Sequence, residues 1–142
     1  MTSGPDVGGV TVTHCDSNGT WLIALSGEHD LSTTPLIEKA TGDIWSRCST
    51  AVIDVSQTTF IDSSVINWLV RSRDALGATG QGAMRLVYGP PTTPTARLVK
   101  QLGLPDMIAC YPTRHEALAN TSTLPGDGLG VIAPPAPRAV AG

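Results

Sequence analysis

Ala51-Val52-Ile53-Asp54-Val55-Ser56-Gln57-Thr58-Thr59-Phe60-Ile61-Asp62-Ser63-Ser64-Val65-Ile66-Asn67-Trp68-Leu69-Val70 is the stretch on which the fold turns. Residues 51 to 55 are apolar and β-branched except for one carboxylate, the pattern of a strand covered on both faces of a parallel sheet. The chain is expected to turn through Ser56 to Thr59 and to enter a helix at about residue 63. Asp62 or Ser63 can cap that helix, because a short side-chain oxygen accepts the unpaired N–H groups of the first turn. Ile66, Leu69, Val70 and Leu76 then form a core-facing stripe, and Ser63, Asn67, Arg71 and Asp74 share the other face. Two hydroxyls thus stand where a solvated helix face begins, directly after a buried strand.

Working outward, strand and helix signals alternate. Val10–Thr13 and Trp21–Leu25 read as an opening hairpin, with Asn18-Gly19 as the turn. Ser32-Thr33-Thr34-Pro35 is a hydroxyl cap followed by a proline at the start of a helix reaching about Arg47. After the strand at 51–55 and the helix at about 63–77, a Gly-rich break at 77–82 leads to a strand at 83–87. Thr93-Pro94 repeats the cap-then-proline signature for a helix stopped by Gly103 and Pro105. Met107–Cys110 reads as a last strand, and Thr113-Arg114-His115-Glu116 opens a last helix with a capping box. The order ββαβαβαβα predicts an α/β fold with a mixed, mostly parallel sheet and helices packed on it. Residues 1–8 and the Pro/Gly-rich stretch 122–142 read as flexible ends around one domain at 9–121. Functional groups in such sheets collect beyond the carboxyl ends of strands. Glu28, His29 and Asp30 follow one strand and Asp62, Ser63 and Ser64 the next, so neighbouring strands would bring the two clusters together.

Composition removes several function classes. A length of 142 residues suits one domain that buries its own core. Nine Lys plus Arg and a formal charge of −3 argue against binding a phosphate backbone. No apolar run approaches the roughly 20 residues of a membrane helix, and polar Thr2, Ser3 and Asp6 stand where a signal peptide would be basic and then apolar. A cytoplasmic protein without nucleic-acid or membrane partners is expected. Cys15, Cys48 and Cys110 form no C-x-x-C pair, and neither they nor His14, His29 and His115 have metal-ligand spacing, so reduced thiols and no metal or cofactor are expected. Neither G-x-S-x-G nor a phosphate-binding glycine motif is present, which argues against a serine hydrolase and a nucleotide-binding enzyme.

Leu25-Ser26-Gly27-Glu28-His29-Asp30-Leu31, Val52-Ile53-Asp54-Val55-Ser56 and Phe60-Ile61-Asp62-Ser63-Ser64 stand in the order and spacing of the G-E-L-D, D-L-S and D-S-S-G segments of a known family. With Leu98–Leu104 and Glu116-Ala117-Leu118 as closing helices, the chain resembles the STAS domain of anti-sigma factor antagonists over about residues 8 to 120. The resemblance implies a non-enzymatic partner switch. The unphosphorylated antagonist binds an anti-sigma factor, usually a serine-protein kinase, and frees a sigma factor; phosphorylation of the first serine after the aspartate, here Ser63, turns binding off, and a serine phosphatase resets it. The contacts implied are Glu28, His29, Asp30, Asp62, Ser64, Val65, Asn67 and Trp68.

Individual residues have plainer readings. Ser63 could be only an N-cap, worth about 1 kcal/mol. Ser64 reads as structural, Asp54 as a brace for the loop after its strand, and Asp30 as a brace or part of a docking edge. His29, in place of the family's leucine, reads as an exposed loop histidine or a pH-sensitive contact. Val65 stands where the family has glycine and Asn67 at another small position, both adding bulk where a partner would approach. Trp68 replaces an aliphatic residue and fills core or anchors a partner.

Overall fold

The computed structural model describes residues 8–15, 19–78 and 82–119. The expectations for flexible ends at 1–8 and 122–142 fall almost wholly outside those residues, as does part of the Asn18-Gly19 turn. Five strands, β1 (Gly9–His14), β2 (Thr20–His29), β3 (Thr50–Ile61), β4 (Ala83–Val87) and β5 (Ala109–Tyr111), lie side by side in chain order. β1 runs antiparallel to β2, and every other neighbouring pair is parallel. Helices α1 (Thr34–Thr41), α2 (Ser63–Ala78) and α3 (Pro94–Gln101) make the three crossovers, and residues 114–119 form a last helix, α4.

A strand order that never reverses has a consequence. Right-handed crossovers advancing in one direction place all three connecting helices on the same face. Ile37 of α1, Val65, Trp68 and Leu69 of α2, and Val99 of α3 accordingly share one core with Ile23, Leu25, Ile53 and Val55. The opposite face is thinner: Leu22, Val52, Val87 and Tyr111 are covered by Ala117 of α4. Asp54 lies on this second face, 2% exposed. Its Oδ1 accepts the Ser56 N–H at 2.8 Å, and its Oδ2 accepts Nε of Arg114 at 2.8 Å and Nη2 at 2.7 Å, so the carboxylate braces its own strand and ties α4 to the sheet.

Two boundaries differ from the sequence reading. The turn expected at Ser56–Thr59 is strand: β3 continues to Ile61, and two register shifts against β2 absorb the extra residues. One shift falls at Gly27, whose φ of 77° only glycine adopts without strain. The first helix ends at Thr41 rather than near Arg47, followed by a 3₁₀ turn at Trp45–Arg47. The capping signals at Thr93 and Thr113 act as read, their hydroxyls accepting from the N–H groups of Ala96 and Glu116.

Candidate functional site

β2 and β3 are direct neighbours, so the segments that follow them meet at the carboxyl end of the sheet. Asp62 is the cap of α2. Its Oδ1 accepts the backbone N–H and the hydroxyl of Ser64, and its carbonyl accepts the N–H groups of Val65 and Ile66 at 3.1 and 3.3 Å. The orphan donors of the first turn are therefore largely supplied by one residue. Ser63, the first helical residue, is exposed, and among the described residues its hydroxyl has no hydrogen-bond partner. Ser64, one residue on, is half-buried and tied down. Its Oγ donates to Asp62 and lies 3.1 Å from Oγ1 of Thr34, which itself donates to the Asp30 carbonyl at 2.9 Å. Thr34 thus pins the start of α1 to the start of α2.

Asp30 organises the other loop. Its Oδ1 accepts the N–H and hydroxyl of Ser32 at 2.9 and 2.6 Å, and hydrogen bonds from the Ser32 side chain and then its backbone hold the Asp30 carboxyl below the usual carboxylate range. The Asp30 carbonyl also accepts the N–H groups of Thr33 and Thr34, both at 3.0 Å. Thr33 is therefore not a side-chain cap; its hydroxyl is occupied by Asp30 N–H and by His29.

Three of the expected contacts change role. His29 is fully buried, not an exposed loop residue. Its Nε2 donates to the Gly9 carbonyl at 3.0 Å and its Nδ1 lies 3.1 Å from the Thr33 hydroxyl, so it bolts β1 to the loop after β2. Gly8 packs against this ring so closely that an added Cβ would sit 2.3 Å from His29 Cε1. Val65 is 0% and Trp68 2% exposed, both in the main core, Trp68 with its ring centroid 6.3 Å from that of Trp45. Neither side chain offers surface at this end of the sheet, and the bulk of Val65 points inward. The helix is turned by about one residue from the expected stripe: Val65, Trp68, Leu69, Ser72 and Leu76 face the core, while Ile66 and Val70 are only half-buried.

Glu28, Asp30, Asp62, Ser63, Ser64 and Asn67 remain together around the start of α2 with surface to offer. Two apolar residues that the sequence reading passed over join them, Leu31 at 73% exposure and Phe60 at 49%, the latter opposite Glu28 across the β2–β3 pair. Leu31 stands in the loop after β2 and Phe60 near the end of β3, and no periodicity in the sequence marks either as exposed. From Ser64 a shallow groove of about 450 Å³ runs between α1 and α2, lined by Leu31, Pro35, Asn67 and Val70. It reaches Arg71, which is paired with Glu38 at 3.1 Å. Among the described residues no group of three or more His, Cys, Asp or Glu is placed to hold a metal, and no helix is long and apolar enough to cross a membrane.

The fold has relatives. Residues 14–117 match the model of the STAS domain. The chain belongs to the STAS domain family. Over 117 residues, covering 82% of this chain and 91% of the relative, the STAS protein is 30% identical to the anti-sigma-F factor antagonist RsfB of Mycobacterium tuberculosis. It also superimposes on the crystal structure of an anti-sigma factor antagonist from Mycobacterium paratuberculosis with a TM-score of 0.70 and 30% identity, covering 83% of this chain and 97% of that one. The fold is shared with the anti-sigma factor antagonist SpoIIAA in its unphosphorylated form, at a TM-score of 0.62 and 23% identity over 82% of this chain and all of that one.

Proposed function

We propose that this STAS protein is an anti-sigma factor antagonist that binds an anti-sigma factor of the serine-kinase type and is switched off by phosphorylation at Ser63. The observation that carries the reading is the contrast between adjacent serines: the Ser63 hydroxyl is exposed and unengaged among the described residues, while that of Ser64 is locked between Asp62 and Thr34. A kinase can reach Ser63 without unmaking any bond of the fold. Family membership and the 30% identity to two antagonists of anti-sigma factors support the same reading.

The chemistry of the switch follows from the surroundings of Ser63. A phosphate adds about −1.5 to −2 charges at neutral pH. At the N-terminus of a 16-residue helix it meets the positive end of the dipole, but it also lies next to the Asp62 carboxylate, so the two terms oppose. The fold is left near its original stability. Arg71 is eight residues along the helix, about 12 Å away, and is already paired with Glu38. The added charge therefore remains on the surface, next to the Asp62 carboxylate. A partner that had buried a neutral hydroxyl would face an uncompensated dianion, and every 1.4 kcal/mol of repulsion and desolvation weakens binding tenfold. The protein acts by binding rather than by catalysis, in the cytoplasm, and a serine phosphatase resets it.

The test is intact-protein mass spectrometry after incubation with ATP and candidate anti-sigma kinases, beside Ser63→Ala and Ser64→Ala. One phosphate on wild type and on Ser64→Ala, with none on Ser63→Ala, is the expected result. Tight binding without phosphate under any kinase would make the domain a constitutive binding module, and phosphate on Ser64 would overturn the assignment of the site.

A further inference from the structure

We propose that β1 is a self-association edge, to which a second copy of this chain adds its own β1 in antiparallel pairing centred on Val12. Cys15 N–H donates to the Thr20 carbonyl at 2.8 Å, and β1 pairs with β2 in the same register along its length, Thr13 with Leu22 and Thr11 with Ala24. Antiparallel ladders alternate, so these residues exchange hydrogen bonds with β2, whereas Val10, Val12 and His14 direct their N–H and C=O groups off the sheet. Among the described residues nothing pairs with that side. Exposed edges are usually blunted by lysine, proline or a bulge. Gly9–His14 contains no proline and no Asp, Glu, Lys or Arg, and its register against β2 has no shift.

The flank of the edge is apolar as well. α1 sits between β1 and α2, touching both. Thr34, Ile37 and Thr41 point to the core, and Glu38 points to Arg71 on α2. Helical periodicity then places Leu36 and Ala40 on the opposite side, above the outer edge of β1. Leu36 is 52% exposed and Ala40 is exposed. Val12 lies opposite Ile23, so the side chains of Val10, Val12 and His14 are on this helix-bearing face, where the two valines are already half-buried.

The surface is its own complement, which is what selects a second copy over another partner. A two-fold axis at Val12 sets Val12 against Val12 and Val10 against His14 of the other copy, for about six hydrogen bonds. His14, stacked on Trp21 with ring centroids 4.5 Å apart, then meets a valine and not the other His14. The two α1 helices come together above the junction, Leu36 toward Leu36. The result is one ten-stranded sheet, and the start of α2 with Ser63 lies beyond the carboxyl end of β3, away from the shared edge, so both copies keep it free.

The experiment is sedimentation equilibrium of the full chain over about 1 µM to 1 mM, with amide hydrogen exchange at the two ends of that range. A doubling of mass is expected, with slowed exchange at Val10, Val12 and His14 only at high concentration and at Thr11 and Thr13 throughout. Val12→Pro, which removes an N–H that β2 does not use, and Leu36→Glu, on an exposed position, are expected to remain monomeric and folded. If Val12→Pro unfolds, Leu36→Glu decides alone. A monomer throughout the range, a dimer that survives both changes, or concentration-independent protection of Val10 and Val12 would each overturn the proposal.

Discussion

Arg114→Ala tests the tie between α4 and the sheet. The Asp54 side chain is 3% exposed; its Oδ1 is supplied by the Ser56 N–H, while both bonds to Oδ2 come from Arg114, at 2.8 and 2.7 Å. Removing the guanidinium leaves a buried carboxylate half-satisfied, which for a fully enclosed pair costs about 3 to 5 kcal/mol. Arg114 is 45% exposed, so water reaches part of the vacated space and the lower end applies, about 3 kcal/mol. At roughly 3 to 6 °C per kcal/mol for a domain of this size, the melting temperature should drop by about 10 °C. Asp54→Asn keeps the Oδ1 acceptor and removes the charge, so Arg114→Ala should cost markedly less in that background. A urea-unfolding double-mutant cycle followed by tryptophan fluorescence measures the coupling directly. Arg114→Ala within about 0.5 kcal/mol of wild type, or strict additivity of the two changes, would refute the reasoning.

Asp62 and Ser63 should separate cleanly in the same assay. Asp62→Ala strips the cap of α2 and is expected to cost about 1 kcal/mol, whereas Ser63→Ala breaks no bond seen here and should melt with wild type. Burial pushes the Cys48 thiol up to about 11 and Cys110 up to about 12. Native protein should therefore be alkylated at exposed Cys15 alone near neutral pH, with Cys48 and Cys110 following only on unfolding. Because both folded values lie above the unfolded thiol range, the stability they contribute is full below about pH 9 and declines as pH rises toward 11 and 12. Chemical denaturation at pH 8 and pH 10.5 checks the sign.

The element order, the Thr93-Pro94 helix start and the meeting of the two loops were legible because periodicity and capping are local, whereas the Thr33 hydroxyl, expected as a cap, is taken by Asp30 and His29 instead. What failed to show locally was decided by distant partners. His29 reads as a polar loop residue until the Gly9 carbonyl and the Thr33 hydroxyl, 20 and 4 residues away, satisfy both ring nitrogens and let it be buried. The rotation of α2 turned on Ser72: with a buried serine admitted, Val65, Trp68 or Leu69, Ser72 and Leu76 form a regular i, i+3/4, i+7 stripe. Polar Ser56 to Thr59 looked like a turn, yet Thr58 is buried, its hydroxyl donating to the Val55 carbonyl and meeting Oγ1 of Thr95 at 2.9 Å, so the strand runs on beneath α3. Leu31 and Phe60 escaped notice for the opposite reason: no local rule marks a large apolar residue as exposed.

The central claim is that one phosphate on Ser63 changes binding without changing the fold. The direct measurement is calorimetric titration of the purified anti-sigma factor with the unphosphorylated and the Ser63-phosphorylated protein, each with its melting curve. The account predicts a loss in affinity of about 100-fold or more, which is close to 3 kcal/mol, with melting temperatures that coincide. Equal affinities for the two forms, or a phosphorylated form that loses binding only because it has unfolded, would contradict it.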